Sequence, residues 1–150
     1  MFRTPRLLAA IITAACLALG ATAAQARTFY LAPDGNDSAE AAHGAVFASL
    51  RTAVNHMWGG DTLIIRDGFY PGGVSVRRGC TAEKPLVIKG ESRYAIIVGS
   101  GSARDGLTLN DCSHVILDGV NVTRATRGGI VIGHSKHIQV RNCVAFNNGK

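Results

Sequence analysis

A sequence interval of 23 recurs through the second half of this chain, and it limits the possible folds more than any local propensity. Gly106-Leu107-Thr108-Leu109 returns as Gly129-Ile130-Val131-Ile132, and His114-Val115-Ile116-Leu117 returns as His137-Ile138-Gln139-Val140. Val120-Asn121-Val122 returns as Cys143-Val144-Ala145 at the same offset. Upstream, Leu63-Ile64-Ile65 precedes Leu86-Val87-Ile88 by that interval too, whereas Leu86 to Val115 is a step of 29. One turn therefore reads as carrying six extra residues between Glu91 and Arg104.

Each unit holds apolar runs of three to five residues, broken by Gly, Asn, Asp, Ser or Arg. Alternate residues of a strand face opposite sides of a sheet. The rows Leu63/Leu86/Val115/Ile138 and Ile65/Ile88/Leu117/Val140 are thus expected to stack inward. Val74/Leu107/Ile130 and Val76/Leu109/Ile132 make a second wall, and Val120/Cys143 with Val122/Ala145 make part of a third. Three short strands per unit, repeated in register, predict an all-β parallel solenoid with aliphatic ladders. A leucine-rich repeat has a similar period, but its LxxLxLxxN frame is absent, and no helical periodicity runs through the repeats.

The opening segment is of another kind. Arg3 and Arg6 precede an apolar stretch from Leu7 to Gly20, and Ala24-Gln25-Ala26 fits the small-x-small rule for signal peptidase. Residues 1–26 read as a cleavable export signal, too short and wrongly flanked for a membrane span. A lipoprotein reading through Cys16 is the alternative, but Thr13 stands where a lipobox wants Leu. The mature part, residues 27–150, starts near Arg27 and is expected to be secreted or periplasmic. Subtracting Arg3 and Arg6 from 16 basic residues leaves 14 against 10 acidic, a net charge of +4 with the charges scattered. Export argues against nucleic acid as a partner, and an anionic glycan or envelope surface suits the charge better.

Between signal and repeats, Thr28 to Leu31 reads as a strand and Ala32 to Asp37 as a turn. Ser49 is placed to N-cap a short helix with Leu50, Ala53, Val54 and Met57 on one face, stopped by Gly59-Gly60. One amphipathic helix ahead of a solenoid is expected to cap its first coil. Trp58 and Tyr70 are read as sealing that cap, and Arg77 and Arg78 as a solvated turn. The sequons Asn36-Asp37-Ser38 and Asn121-Val122-Thr123 read as chance matches, the second lying inside a strand run.

FYLAPDGNDS, the short helix, GGDTLIIRDGFYPGGVSV and GCTAEKPLVIKGE resemble the opening of pectate-lyase-like proteins, across residues 28 to 150. The resemblance implies a right-handed parallel β-helix and cleavage of acidic polysaccharide, pectate or another polyuronide, by β-elimination. Such chemistry needs a Lys or Arg base for the C5 proton, and calcium or cations to neutralise the uronate carboxylate. Calcium is therefore a possible cofactor by resemblance only. Asp105, Asp111 and Asp118 fall at three different places around the coil, so they do not converge on a metal, and Asp34-Gly35-Asn36-Asp37 reads as a turn. No catalytic residue is matched, and in the resembled family the machinery sits on later coils.

Arg104, Arg127 and Lys150 are spaced by 23, each just before a coil's first strand. They are the candidate substrate-binding row, since stacked cations are easier to explain if an anion bridges them. The competing reading lets these long side chains splay into water. His114 and His137 form an outward pair with no third ligand in register, and read as an exposed polar ladder rather than a metal site. Three cysteines follow the signal, with no CxxC or zinc-like spacing. Cys80 and Cys112 are expected in the same turn on neighbouring coils, within reach of a disulfide, and Cys143 free and inward. A longer first turn would instead carry Cys80 away. No cap follows the last coil, so the chain reads as the N-terminal piece of a longer protein or as a truncated gene product. Two functions stay open: a polysaccharide lyase whose catalytic coils lie beyond residue 150, and a non-catalytic β-helix that binds glycan or displays a surface.

Overall fold

Thirteen short strands and one helix carry the backbone through stacked coils in a computed structural model that describes residues 25–38, 40, 43–99 and 104–149. The strands are β1 (Thr28–Leu31), β2 (Val46–Phe47), β3 (Thr62–Ile65), β4 (Gly68–Pro71), β5 (Val74–Val76), β6 (Leu86–Gly90) and β7 (Ala95–Val98). Then come β8 (Asp105–Asn110), β9 (Val115–Asp118), β10 (Asn121–Thr123), β11 (Gly128–Gly133), β12 (Gln139–Arg141) and β13 (Val144–Phe146). The helix α1 spans Leu50–His56. The strand pairs are parallel, and they sort into three sheets: β12-β9-β6-β3-β1-β2, β13-β10-β7-β4 and β11-β8-β5. Successive coils add one strand to each sheet, which is the parallel β-solenoid that the repeat predicts.

Most of the expected ladder is in place. Leu86 pairs with Val115, Ile88 with Leu117, Leu107 with Ile130, Leu109 with Ile132 and Val122 with Ala145. One row is corrected: Leu63 opposes Ile88 rather than Leu86, and Ile65 opposes Gly90, a step two longer than the repeat. A slip of two residues leaves every side chain on its own face, so Leu63 and Ile65 stay fully buried beside different neighbours. The stretch read as an insertion also holds a structural strand, β7, paired with β4 and β10. Residues Leu63, Leu86, Ile88, Leu107, Leu109, Val115 and Leu117 are all 0 % exposed. Burying each such side chain contributes roughly 1.5–3 kcal/mol before conformational entropy is set against it.

The corners between walls repeat as strictly as the walls. Left-handed backbone falls on Asp111 and His134 (φ 52° and 46°), on His114 and His137 (53° and 52°), and on Arg124 and Asn147 (59° and 52°). Gly119 at 69° stands above Asn142 at 54°. Each pair is separated by the repeat interval, so the period is that of the corners as well as of the strands. Asparagines tie the corners to neighbouring coils. Asn121 Nδ2 donates to the Arg93 carbonyl (2.7 Å), and Asn148 Nδ2 donates to the Val122 carbonyl (3.1 Å).

At the first coil α1 behaves as expected of a cap. Ser49 Oγ accepts from the Thr52 N–H at 3.3 Å, and Leu50, Ala53 and Val54 are buried against Phe29 and Phe47. Asp37 holds the approach to the helix by accepting from the N–H groups of Ala48 and Ser49, both at 2.9 Å. Burial opposes its ionisation, but those hydrogen bonds prevail and keep its carboxyl below the usual range. Tyr70 seals the coil from inside, its hydroxyl shared between the carbonyls of Arg66 (3.0 Å) and Leu31 (3.2 Å). Trp58 does not: it is 62 % exposed with the Arg78 guanidinium 5.1 Å from its ring centre. Arg78 is no solvated turn residue either, since it donates to the carbonyls of Met57 and Asn55 at the helix exit. At the other end β11, β12 and β13 are each the edge of their sheet, and Ile132, Val140, Val144 and Phe146 are exposed there. Among the described residues no helix is long and apolar enough to cross a membrane.

Candidate functional site

Among the described residues, the outer face of the four-stranded sheet carries an apolar groove. On the four-stranded sheet the outward rows are Phe69, Ile96, Asn121, Val144 and Pro71, Val98, Thr123, Phe146. Phe69 is 74 % exposed and Phe146 41 %. Together with Pro71, Ile96, Val98 and Thr123 they line a groove of about 610 Å³, with Arg124 and Asn147 at its rim. Both rim residues hold left-handed backbone. Asparagine takes that conformation easily, whereas arginine does so at a cost of roughly 1 kcal/mol, which fixes the direction in which Arg124 leaves the corner. Arg124 is exposed, and no acidic residue lines this groove. A second hollow, about 570 Å³, continues from Ile96 and Phe146 to Arg93, Tyr94 and Asp118. There the Arg93 guanidinium covers the Tyr94 ring at 4.9 Å and donates to its hydroxyl at 2.7 Å. The first groove, aromatic and edged by Arg124, can hold a flat, partly apolar, anionic ligand, whereas Glu91 and Asp118 line the second hollow.

The expected cation row is differently disposed. Arg104 and Arg127 do lie on adjacent coils, the Arg127 N–H donating to the Arg104 carbonyl at 2.6 Å. The Arg127 guanidinium, however, is turned onto Asp105, with Nε 2.8 Å from Oδ1 and a second, shorter contact. The anion that meets Arg127 is thus the chain's own carboxylate. Arg104 is exposed, and Lys150 lies outside the described residues, as do residues 1–24, most of the segment read from the sequence as an export signal. Asp118 is engaged likewise, by Asn142 Nδ2 at 2.8 Å and Arg141 Nε at 3.1 Å. The Arg127 hydrogen bond holds the Asp105 carboxyl below the usual range, and the Asn142 amide followed by Arg141 does so for Asp118.

Both shifts fix a pH dependence. A carboxyl whose folded value is depressed contributes stability that is complete above its unfolded value and lost as pH falls through the folded one. Melting temperature is expected to stay flat from neutral pH to about pH 5 and to fall below about pH 4, where free carboxylates titrate. Asp118→Asn should shrink that fall; an unchanged acid limb would mean that these pairs contribute nothing.

His114 and His137 stack face to face, ring centres 4.5 Å apart and planes 16° apart, as an outward ladder. Among the described residues no three His, Cys, Asp or Glu side chains gather as metal ligands. The calcium that the resemblance implies therefore has no matching donor set there, because Asp105 and Asp118 are committed to arginines and Asp111 to Asn110. Cys80, Cys112 and Cys143 are unbridged. The pairing of Gly79 with Ser113 puts Cys112 level with Arg78 and Cys80 level with His114, a stagger of two residues that undoes the expected alignment. Cys112 Sγ turns to the Val76 carbonyl at 3.0 Å instead. Burial pushes the Cys80 and Cys143 thiols up, which keeps them protonated and unreactive at neutral pH. Cys143 is only half-buried, because its coil is the edge.

Phe69, Tyr94, Phe146 and Arg124 escaped the reading of the sequence. The available signal was the alternation Phe69-Tyr70-Pro71, which buries the middle residue and turns its neighbours out, but it could be used only once the third wall had been assigned.

No protein-family model matches the chain, and no curated protein matches it in sequence. Among solved structures, the crystal structure of an alginate lyase from Paenibacillus sp. str. FPU-7 is similar, with a TM-score of 0.61 and 20 % identity over 67 % of this chain. The match takes in 34 % of that enzyme, so this chain spans about a third of its length. What the likeness establishes is the fold, a parallel β-solenoid that this chain shares with a polysaccharide lyase.

Proposed function

We propose that this is an exported β-helix protein directed at acidic polysaccharide, with residues 1–26 as its signal. The observation that carries the reading is the superposition of its coils on an alginate lyase. The groove over the four-stranded sheet supports it, since a sugar ring offers an apolar face to Phe69 and Phe146 and a uronate carboxylate suits Arg124. Arg104, Arg127 and Lys150, spaced by 23 in the sequence, are further cations offered to the same class of substrate. Within that reading the protein is of polysaccharide-lyase type, acting on pectate, alginate or another polyuronide. The competing form is a non-catalytic binder, favoured by the locking of Asp105 and Asp118 to Arg127 and Arg141.

Calorimetry with alginate and polygalacturonate, against neutral dextran, tests the reading. Binding is expected for the two polyuronides alone, weakening with salt. Phe69→Ala and Arg124→Ala, both at exposed positions, are each expected to weaken it by about ten-fold, as for a contact worth ~1.4 kcal/mol. Equal binding of dextran, or none of any glycan, overturns the reading. The same samples, followed by ultraviolet absorbance for unsaturated uronate ends, separate the two forms. The 150-residue chain is expected to release none, with or without calcium.

A further inference from the structure

One buried carboxylate gathers contacts that neither the glycan groove nor the coil ladder uses. Asp61 is 3 % exposed and sits where the cap helix hands over to β3. Its Oδ1 accepts from the backbone N–H of Arg27 at 3.0 Å and from Arg27 Nε at 3.3 Å. Its Oδ2 accepts from Arg27 NH2 at 2.7 Å and from the Trp58 N–H at 2.9 Å. Arg27 is held further by the His56 carbonyl (3.1 Å), by the Phe29 ring (4.9 Å) and by its own carbonyl, which accepts from the Thr62 N–H at 2.8 Å. Immediately before it, Gln25 and Ala26 are exposed. The contacts thus begin at the residue where the small-x-small motif Ala24-Gln25-Ala26 places the export cut.

We infer that hydrolysis of the Ala26–Arg27 bond creates an α-ammonium that Asp61 receives, so that processing completes the seat of the mature N-terminus. In this step a signal peptidase adds water across the peptide bond. Ala26 leaves with the new carboxylate, and the Arg27 nitrogen keeps its place while gaining protons. The hydrogen bond at 3.0 Å then changes from a neutral amide donor to a charged one, which is shorter and stronger. The remaining ammonium hydrogens turn to the hollow beside Trp58 and Gly59, which Gln25 vacates on cleavage. The ionisable groups around the nitrogen are Asp61, the Arg27 guanidinium, His56 with its ring turned to the Thr52 carbonyl, and Lys84, which with Ala26 flanks Gly60. Only the carboxylate among them attracts an ammonium, and it is the nearest. The inference rests on the export signal proposed above and is independent of what the groove binds.

The folded amine therefore has a raised pKa, and its stabilisation is complete below the unfolded value near 8 and lost as pH rises through the folded one. N-terminal sequencing of the exported protein is expected to read Arg-Thr-Phe-Tyr. Trace labelling of the α-amine across pH is expected to show it titrating about one unit higher in native than in urea-unfolded protein. Asp61→Asn should abolish the difference. Where that variant does not fold, the native-against-unfolded comparison of the wild-type protein decides alone. A first residue other than Arg27, or an α-amine titrating alike in both states, overturns the inference.

Discussion

Leu117→Asp should leave no soluble, cooperatively unfolding protein. Leu117 is 0 % exposed in the row Leu63, Ile88, Leu117 and Val140, with a coil stacked on either side. Described residues offer no cation inside the solenoid, because Arg127 and Arg141 point outward onto Asp105 and Asp118. An unpaired carboxylate there costs several kcal/mol, against a total stability of about 5–15 kcal/mol for a domain. The informative control lies one coil on. Val140 occupies the same row but is 43 % exposed at the edge of its sheet, so Val140→Asp should unfold cooperatively at a melting temperature only slightly lowered. Near-ultraviolet circular dichroism and thermal melts distinguish the two. Equal tolerance of both substitutions would show that the row is not the core.

The contrast between those two positions also marks what a sequence of this kind discloses. Leu86, Ile88, Val115 and Leu117 were legible as core because parity alone decides which face a strand residue takes, and stacking only requires that parity recur. Register was less legible. Leu63 could be slipped by two residues without turning any side chain outward, so alignment by similarity chose Leu86 where the backbone chose Ile88. β7 was hidden for a related reason. Its steps to β4 and to β10 are both longer than the interval that had exposed the other walls. The charges failed differently. The interval of 23 aligns Arg104 with Arg127 but not Asp105, which is one residue out of phase with Arg127 and in contact with it. Outward aromatics such as Phe69 could not be told from core residues until the wall they stand on had been placed.

Gly90→Ala should destabilise far more than its size suggests, and Gly119→Asn far less. The two glycines are level on adjacent coils, in a column that runs Ile65, Gly90, Gly119, Asn142. A Cβ on Gly90 would lie 2.2 Å from the Gly119 carbonyl oxygen and 3.2 Å from Ala95 Cβ. The first of those neighbours is backbone, held by the coil on each side, so relief requires the two coils to part. Overpacking of that kind costs about 3 kcal/mol, and here it also disturbs the pairing of β6 with β9, which carries Leu86, Ile88, Val115 and Leu117. Gly119 is constrained in conformation, not in space. Its φ is 69°, and a Cβ there would come no nearer than 3.5 Å to the Gly90 oxygen. Asn142 already holds the equivalent corner one coil on at φ 54°, and asparagine is the side chain that left-handed backbone accepts most readily after glycine. Urea unfolding of the two variants is expected to separate their midpoints widely, with Gly119→Asn close to the parent. Similar losses from both would mean that the corner, and not the approach of the coils, is what glycine serves at position 90.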